Sequence, residues 1–408
     1  MRRLALAGSL ATLAACGVSP VSGTTGGAAL DGGAGGACPR ALAVVDTDYA
    51  STNVSLVSPD GQVRSASLVS SASAAPGLTT ALSGDVVLPL ARPASGEIVL
   101  IDRYPNAVLT WLDPATGGVL AQASVATGFS SNPHDYLEVG AHRAYVTRYG
   151  ANPSPGREPF DEGGDLLVLD TTTHAVTGRV ALAQSGDGAY APHPDRMVRV
   201  GGAAWVSLQR FDASFASAAD ARVVGVDVAT DAVRFSLDLP GLANCGSFAA
   251  SPSGKVVALA CSGVLGPHVA LDGRSAVVLL DATAEPPVEL RRLAVAVALG
   301  APLAPPLAFA SEETLVGVAF GDVGGGRSDV AYAVDARTGA VTRLLDAGAA
   351  FALGDVRCSP GCSGLCWLAD AHAGALRSWD ATTTPLAPRD ALVVDTAIGL
   401  PPRGLGEL

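Results

Sequence analysis

The sequence has little positive charge and few aromatic residues. Lys255 is the only lysine among 408 residues, and the formal net charge is −12. Because phosphate backbones are bound by clustered cations, we expect no nucleic-acid partner. Aromatic residues make up 5% of the chain and charged residues 16%, against 49% hydrophobic residues. This composition permits a large buried core.

Long hydrophobic runs and familiar enzyme motifs are also missing. After the N-terminal run, no segment is long and apolar enough to span a bilayer. The chain contains no G-x-S-x-G elbow, no H-E-x-x-H zinc motif, no phosphate loop and no C-x-x-C-H haem site. We therefore expect a binding protein. An enzyme whose site is assembled from scattered residues stays open as an alternative.

The first residues have the pattern of an export signal. Two arginines precede an apolar run that ends in Leu-Ala-Ala at residues 13–15, followed by Cys16. This pattern resembles the lipobox of bacterial lipoproteins, in which the cysteine is acylated and becomes the mature N-terminus. We predict a cleaved signal peptide over residues 1–15, a lipid anchor on Cys16 and a flexible tether over residues 16–40. An ordinary cleavage site that happens to contain a cysteine is the alternative.

The resemblance also implies a location. A lipobox protein is exported and held on a bacterial membrane by its acylated cysteine. Gly17 follows Cys16, in place of the aspartate that retains some lipoproteins at the inner membrane. We therefore expect the outer membrane, with the domain facing the periplasm or the cell surface.

Six cysteines remain after Cys16, an even number that favours disulfides in an oxidising compartment. Cys245 and Cys261 lie almost symmetrically about residues 251–254, so a hairpin turn there would place them opposite each other. We predict that disulfide. The other four cysteines are Cys38, Cys358, Cys362 and Cys366, and the three ways of pairing them stay open. A bridge from Cys38 into the later cluster of three would join the two ends of the domain.

An internal repeat runs through residues 41–408. Seven copies of an apolar strand, a tight turn and a second strand recur at intervals of 45 to 57 residues, with these residues at equivalent positions: Ser58, Asp113, Asp170, Asp227, Asp281, Asp335 and Asp380. Four strands per period predict an all-β fold, a seven-bladed β-propeller with four antiparallel strands per blade. The first repeat lacks an inner strand before Leu42. We expect residues 399–405 to supply that strand and close the ring.

One stretch of the chain resembles a known family. Residues 112–148, LDPATGGVLAQASVATGFSSNPHDYLEVGAHRAYVTR, look like the repeat of the YVTN β-propellers, and Arg148 departs from the last letter of that name. The next two repeats echo it as APHPDRMVRVGGAAWVSL and SFAASPSGKVVALAC. The resemblance implies an extracytoplasmic propeller and leaves the ligand or partner unspecified.

The repeat predicts where functional residues gather. In a propeller, the loops between the second and third strands share a face with the loops that lead into each next blade. Three second-to-third-strand loops are long: residues 149–164, 211–221 and 262–275. Because irregular loops on a rigid scaffold usually carry binding residues, we expect function on this face.

Two histidines lead into consecutive inner strands on that face. His134 is followed by Asp135, and one repeat later His193 is followed two residues on by Asp195. Near the channel mouth, these four side chains could bind a divalent metal ion or share a proton transfer.

Neighbouring residues suggest two further roles. Arg148 and Arg210 could hold an anion near the same channel mouth. In the structural alternative, each histidine donates a hydrogen bond to a hydroxyl on the second strand of its blade, that of Thr147 or Ser207.

The sequence therefore predicts a lipid-anchored propeller that acts as a binding or assembly scaffold for an envelope or surface protein. We expect a monomer that meets the membrane only through Cys16. Two alternatives place a site at the channel mouth: a metal-assisted hydrolase resembling the lactonases, and a small-ligand sensor.

Overall fold

The computed structural model describes residues 38–264, 271 and 273–408. The predicted signal peptide, the lipidation site Cys16 and most of the tether lie outside these residues. The described chain forms seven four-stranded antiparallel sheets. The predicted all-β, seven-bladed propeller is confirmed.

The first three blades come from the N-terminal part of the domain, except for one strand supplied by the C-terminus. Blade 1 contains, from the channel outward, β28 (Pro402–Glu407), β1 (Leu42–Thr47), β2 (Thr52–Val57) and β3 (Val63–Ser70). Blade 2 contains β4 (Val86–Val87), β5 (Ile98–Asp102), β6 (Val108–Leu112) and β7 (Val119–Ser124). Blade 3 contains β8 (Pro133–Gly140), β9 (Arg143–Ala151), β10 (Gly163–Leu169) and β11 (Val176–Val180).

The remaining four blades follow in chain order. Blade 4 contains β12 (Pro194–Val200), β13 (Ala203–Leu208), β14 (Ala221–Asp227) and β15 (Val233–Leu239). Blade 5 contains β16 (Cys245–Ala250), β17 (Val256–Cys261), β18 (Ala276–Asp281) and β19 (Val288–Leu293). Blade 6 contains β20 (Leu303–Phe309), β21 (Thr314–Ala319), β22 (Val330–Asp335) and β23 (Val341–Asp346), and blade 7 contains β24 (Leu353–Cys358), β25 (Leu365–Asp370), β26 (Ala375–Asp380) and β27 (Ala387–Pro388).

Helix is confined to short connections in the described chain. A 3₁₀ turn, Ala183–Ser185, follows β11, and α1, Val295–Leu299, follows β19. No helix among the described residues is long and apolar enough to cross a membrane.

The C-terminal strand closes the ring, as predicted. β28 pairs antiparallel with β1, with Leu42 opposite Glu407 and Val44 opposite Leu405. The backbone N–H of Arg40 also donates to the carbonyl oxygen of Leu408 at 2.6 Å. Both ends of the domain are therefore joined in one sheet, and the inner edge of β1 is paired.

The repeated aspartates act on the turns after the third strands. Each accepts a hydrogen bond from the backbone N–H two residues further on, at 2.8–2.9 Å, at these positions: Asp113, Asp170, Asp227, Asp281, Asp335 and Asp380. In the first repeat, Ser58 Oγ accepts the N–H of Gln62 instead. An Asx or Ser side chain that bonds its own turn favours that turn over continued strand, which explains the sequence signal.

The core lies between the blades. The two middle strands of blade 2, β5 and β6, are buried along their whole length, whereas most residues of the outer strand β19 are exposed. One apolar cluster joins Ile101 and Trp111 of blade 2 to Tyr136 and Val146 of blade 3. Each sheet therefore buries both faces against its neighbours, and the fold requires a complete ring.

Three disulfides join the six described cysteines. Cys245 and Cys261, the pair expected from the sequence, lie directly opposite each other on β16 and β17. Cys358 and Cys366 pair in the same way across β24 and β25. The third bridge, Cys38–Cys362, ties the start of the domain to the loop between those two strands. This set resolves the three pairings that the sequence left open.

A buried carboxyl group lies beside the closing strand. Asp46 is fully buried, and Ser55 Oγ donates to its Oδ2 at 2.6 Å. Its Oδ1 and the Oδ1 of Asn53, the residue opposite it on β2, have no hydrogen-bond partner. Burial is the main cause that raises the pKa of Asp46 to about 8, and the charge of Asp395 adds to it. Asp46 is therefore protonated at neutral pH.

The Asp46→Asn variant should change the pH dependence of stability. Because the folded-state pKa lies above the unfolded value, the wild type loses free energy of unfolding as the pH rises from about 4 to about 8. Asparagine does not titrate and supplies the donor that a protonated carboxyl would supply. We expect the variant to gain about 2–4 kcal/mol over the wild type between pH 5 and pH 8, measured by chemical denaturation.

Asp48→Asn is the matched control in the same blade. Hydrogen bonds from the backbone N–H groups of Ser51 and Ala50 lower the pKa of Asp48, so it stays ionised throughout this pH range. Its difference from the wild type should be the same at pH 5 and pH 8. An equally constant difference for Asp46→Asn would contradict the protonated state.

Candidate functional site

The ring has two unlike faces. The long-loop face carries the connections from second to third strands and those that lead into the next blade, and three of its described loops span residues 152–162, 209–220 and 320–329. The short-turn face carries the connections from first to second and from third to fourth strands. The predicted loop at 262–275 lies partly outside the described residues.

A chain of hydrogen bonds links two blades at the channel mouth on the long-loop face. His134 Nδ1 lies 2.6 Å from Asp195 Oδ1, and Asp195 Oδ2 accepts a hydrogen bond from Gln209 Nε2 at 2.8 Å. Tyr149 OH donates to Gln209 Oε1 at 2.7 Å, and the Tyr149 ring stacks on His134 with centroids 4.3 Å apart. His134 and Asp195, predicted as site residues, are thus brought into direct contact.

Burial controls the charges of this pair. It is the largest influence on His134 and lowers the pKa of the imidazole, against the raising effect of Asp195. Burial also opposes ionisation of Asp195, but His134 and Arg196 together hold the pKa of the carboxyl below its usual value. At neutral pH, a neutral His134 therefore donates through Nδ1–H to an ionised Asp195, and Nε2 is left as the proton acceptor.

Asp135 has a different position from the one expected for a metal ligand. It is fully buried, and its carboxylate accepts the backbone N–H groups of Leu90, Tyr136 and Met197 at 2.8–3.0 Å. Burial raises the pKa of Asp135 to about 6, opposed by the charge of Arg196. Its oxygens join blades 2, 3 and 4, so this carboxylate serves the packing of the ring.

His193 is held by the backbone and by aromatic rings. Its Nδ1 donates to the carbonyl oxygen of Tyr149 at 3.0 Å, and its ring lies 4.6 Å from that of Tyr149 and 5.2 Å from that of Phe215. Burial lowers the pKa of His193. Both imidazoles therefore pack against Tyr149, and these contacts do not point the two histidines at a common ligand.

The structural alternative, in which the histidines donate to the second-strand hydroxyls of Thr147 and Ser207, is wrong, because both hydroxyls have other partners. Thr147 Oγ1 accepts the backbone N–H of Asp135 and donates to the carbonyl oxygen of Asp195. Ser207 Oγ accepts the N–H of Arg196 and donates to the carbonyl oxygen of Gly246. Each hydroxyl therefore bridges backbone groups of two neighbouring inner strands. These bonds satisfy peptide groups that are buried there.

Arg148 and Arg210 each pair with a nearby carboxylate. Arg148 is fully buried and makes two 2.7 Å hydrogen bonds to Asp165. Arg210 pairs with Asp187 and donates to the carbonyl oxygen of Asp220 at 2.7 Å. The anion-binding role predicted for them would require displacement of these partners. Within the described part of the chain, no three His, Cys, Asp or Glu side chains are grouped so as to hold a metal ion.

An exposed apolar rim is the feature of the long-loop face that sequence reasoning missed. Of the twelve large hydrophobic side chains that are exposed in the described chain, eight lie in connections on this face and are 50–72% exposed. We call these the apolar rim: Tyr49, Tyr104, Phe215, Val297, Val323, Phe351, Val393 and Ile398. The other four lie on outer strands: Leu120, Val233, Val288 and Leu290. Their concentration on one face distinguishes the rim from scattered surface residues.

No protein-family model matches the chain, and no curated protein matches it in sequence. The YVTN resemblance is therefore not confirmed.

Solved structures match the fold over nearly the whole chain. A protein provisionally named a 6-phosphogluconolactonase, from Bacteroides fragilis NCTC 9343, has a TM-score of 0.56 at 11% identity and covers 90% of this chain and 98% of its own. The β-propeller domain of Cps50 (Swd1) from Myceliophteria thermophila has a TM-score of 0.56 at 11% identity, with coverage of 88% and 97%. A hypothetical selenium-binding protein from Sulfolobus tokodaii has a TM-score of 0.57 at 9% identity, with coverage of 91% and 95%.

These likenesses define the class of protein, a seven-bladed β-propeller, and at such identities they show the fold alone.

Asp195→Asn should destabilise the domain. The carboxylate accepts from two donors, His134 Nδ1–H and Gln209 Nε2–H, whereas asparagine offers one acceptor and would turn its NH₂ group toward the other donor. We expect a loss of about 1–3 kcal/mol in the free energy of unfolding, measured by chemical denaturation. The pKa of His134, followed by NMR, should fall further because its anionic partner is gone.

Asp390→Asn on the exposed surface is the matched control and should leave both quantities unchanged. An Asp195→Asn variant as stable as this control, with an unchanged His134 pKa, would show that the pair is not formed in solution.

Proposed function

We propose that the protein is a lipid-anchored, extracytoplasmic propeller whose long-loop face binds a protein partner at the cell envelope. The apolar rim is the observation that carries this proposal. Exposed aromatic and aliphatic side chains on a rigid ring cost little ordering entropy on binding, and their burial drives protein association. The acidic composition of the chain argues against a nucleic-acid partner.

The disulfides support an oxidising compartment. Three bridges occur in a domain that already has a large core, and such bridges persist outside the reducing cytosol. Export and lipidation of Cys16, with the outer membrane as the favoured location, remain predictions from the sequence.

The Cys38–Cys362 bridge suggests an orientation. Cys362 lies in the connection between β24 and β25, a first-to-second-strand connection, so the bridge holds the start of the domain on the short-turn face. A lipid on Cys16 would tether the domain from that side. The apolar rim would then lie on the face opposite the tether and be available to a partner.

The lactonase-like and metal-assisted alternatives have less support. Two solved neighbours provisionally named 6-phosphogluconolactonases share only the fold, at 11% and 13% identity. Asp135 is committed to backbone groups and Asp195 to two side chains. The described residues thus provide no grouped metal site, and neither of these two predicted carboxylates is free of partners.

Site-specific photo-cross-linking tests the proposal in the native host. Tyr104 in the apolar rim and Leu120 on the outer strand β7 belong to the same blade and are 63% and 52% exposed. Replacing Tyr104 with p-benzoylphenylalanine should give a discrete cross-linked protein, and the same replacement at Leu120 should not. The adduct should weaken at least about tenfold when Tyr49 and Phe351 are both changed to Asn, which removes apolar contact area.

Asparagine suits these two positions because both have positive φ, which Asn tolerates. Equal cross-linking from both positions, or none from Tyr104, would contradict the proposal. An adduct of twice the chain mass would mean that two copies meet through the rim, against the expected monomer. Cys16→Ser should move the protein from the membrane to the soluble fraction, and continued membrane association would contradict the lipid anchor.

A further inference from the structure

The central channel opens on the short-turn face into a cavity of about 1040 Å³. Six of the seven innermost strands line the cavity. One lining residue from each of them, in chain order, is Glu138, Arg199, Ala250, Ala308, Arg357 and Glu407. The cavity lies on the face opposite the apolar rim. Its volume is at the upper end of that of small-molecule sites, so it can hold a ligand of moderate size.

One cation in this lining is poorly compensated. Arg357 is only 9% exposed, and its Nε is buried without a hydrogen-bond partner. Nη1 donates to the carbonyl oxygen of Val356 at 2.9 Å, and Nη2 lies 3.8 Å from Asp355 Oδ2, beyond hydrogen-bond distance. The same Asp355 oxygen also accepts the backbone N–H of Leu405. A buried guanidinium normally has its charge and its five N–H donors matched, and this one does not.

Arg148 shows how the same fold compensates a structural arginine. Its guanidinium is fully buried and makes two hydrogen bonds of 2.7 Å to both oxygens of Asp165. Arg357 has no such fork-to-fork partner. The Arg357 guanidinium can therefore pair with a group that is not part of the chain.

The other lining groups define the ligand. Apolar side chains flank the cavity on blades 2, 4, 5 and 6: Leu90, Met197, Val198, Ala250, Leu307 and Ala308. Two carboxylates near the mouth already have hydroxyl partners, since Glu138 accepts from Ser95 and Glu407 accepts from Ser359. The lining also contains Glu97, Arg92 and Arg199, so three arginines stand against three glutamates and the wall has no net charge. A balanced wall disfavours a polyanion and leaves room for one anionic group beside Arg357.

The cavity wall next to Arg357 is held by disulfide bonds. Cys358 follows it directly and is bonded to Cys366, and Cys362, on the cavity wall, is bonded to Cys38. A wall fixed in this way keeps the cavity open before a ligand arrives, which lowers the entropic cost of binding.

We propose that this cavity binds a small organic acid, whose single anionic group pairs with Arg357 and whose apolar body lies along the aliphatic wall. The site is separate from the apolar rim and does not depend on the proposed protein partner.

Fluorescence titration with 8-anilinonaphthalene-1-sulfonate, an aromatic sulfonate, tests the site on the disulfide-bonded protein. We expect saturable binding at one site per chain. Arg357→Met keeps the aliphatic length and removes the charge, so it should weaken binding at least about tenfold, the loss expected for one charge-assisted hydrogen bond. Octanoate should displace the probe, whereas octanamide, its uncharged counterpart, should not.

Stability separates a ligand role from a structural one. Removing a poorly compensated buried charge should leave Tm unchanged or raise it in Arg357→Met, whereas Arg148→Met should lower Tm by several degrees because it strands the Asp165 carboxylate. The Tyr49→Asn, Phe351→Asn double variant should bind the probe like the wild type.

Three results would each overturn the proposal. The first is unchanged probe binding in Arg357→Met, whatever the Tm of that variant. The second is equal displacement by octanamide and octanoate. The third is loss of probe binding in the Tyr49→Asn, Phe351→Asn variant, which would place the probe on the rim.

Discussion

Antiparallel pairing between β28 and β1 is the constraint on which the rest of the structure depends. Each blade buries apolar residues against both neighbours, as the cluster shared by blades 2 and 3 shows. A ring that stayed open would expose two such faces and the inner edge of β1. The pairing of Leu42 with Glu407 and the Cys38–Cys362 bridge hold the two ends of the domain together, so every other blade contact acts within a closed ring.

Closure also separates the two faces and their chemistry. On the long-loop face, Asp135 and Asp195 use their carboxylates to join inner strands of neighbouring blades, and the loops outside them expose the apolar rim. On the short-turn face, the channel opens into the cavity, and Arg357 lies in its wall without a full set of partners. One ring can therefore present the proposed protein-binding surface on one side and the proposed small-molecule cavity on the other.

The sequence predicts the repeat because each turn is a local event. An aspartate that bonds the N–H two residues away needs no distant partner, so Asp113 and its equivalents can be recognised from spacing alone. Cys245 and Cys261 were predictable for the same reason, since one hairpin brings them together. The partners of His134 and Arg357 depend on how neighbouring inner strands align in the ring. Spacing carries no information on that alignment, and a cation that lacks a partner has no sequence signature.

The most direct test of ring closure is a disulfide map of the unreduced protein by peptide mass spectrometry. The structure predicts a peptide that links Cys38 to Cys362, one that links Cys358 to Cys366 and one that links Cys245 to Cys261. The first spans 324 residues and can form only if the start of the domain meets blade 7. A free Cys38 thiol, with the other two bridges intact, would contradict the joining of the two ends and the orientation that follows from it.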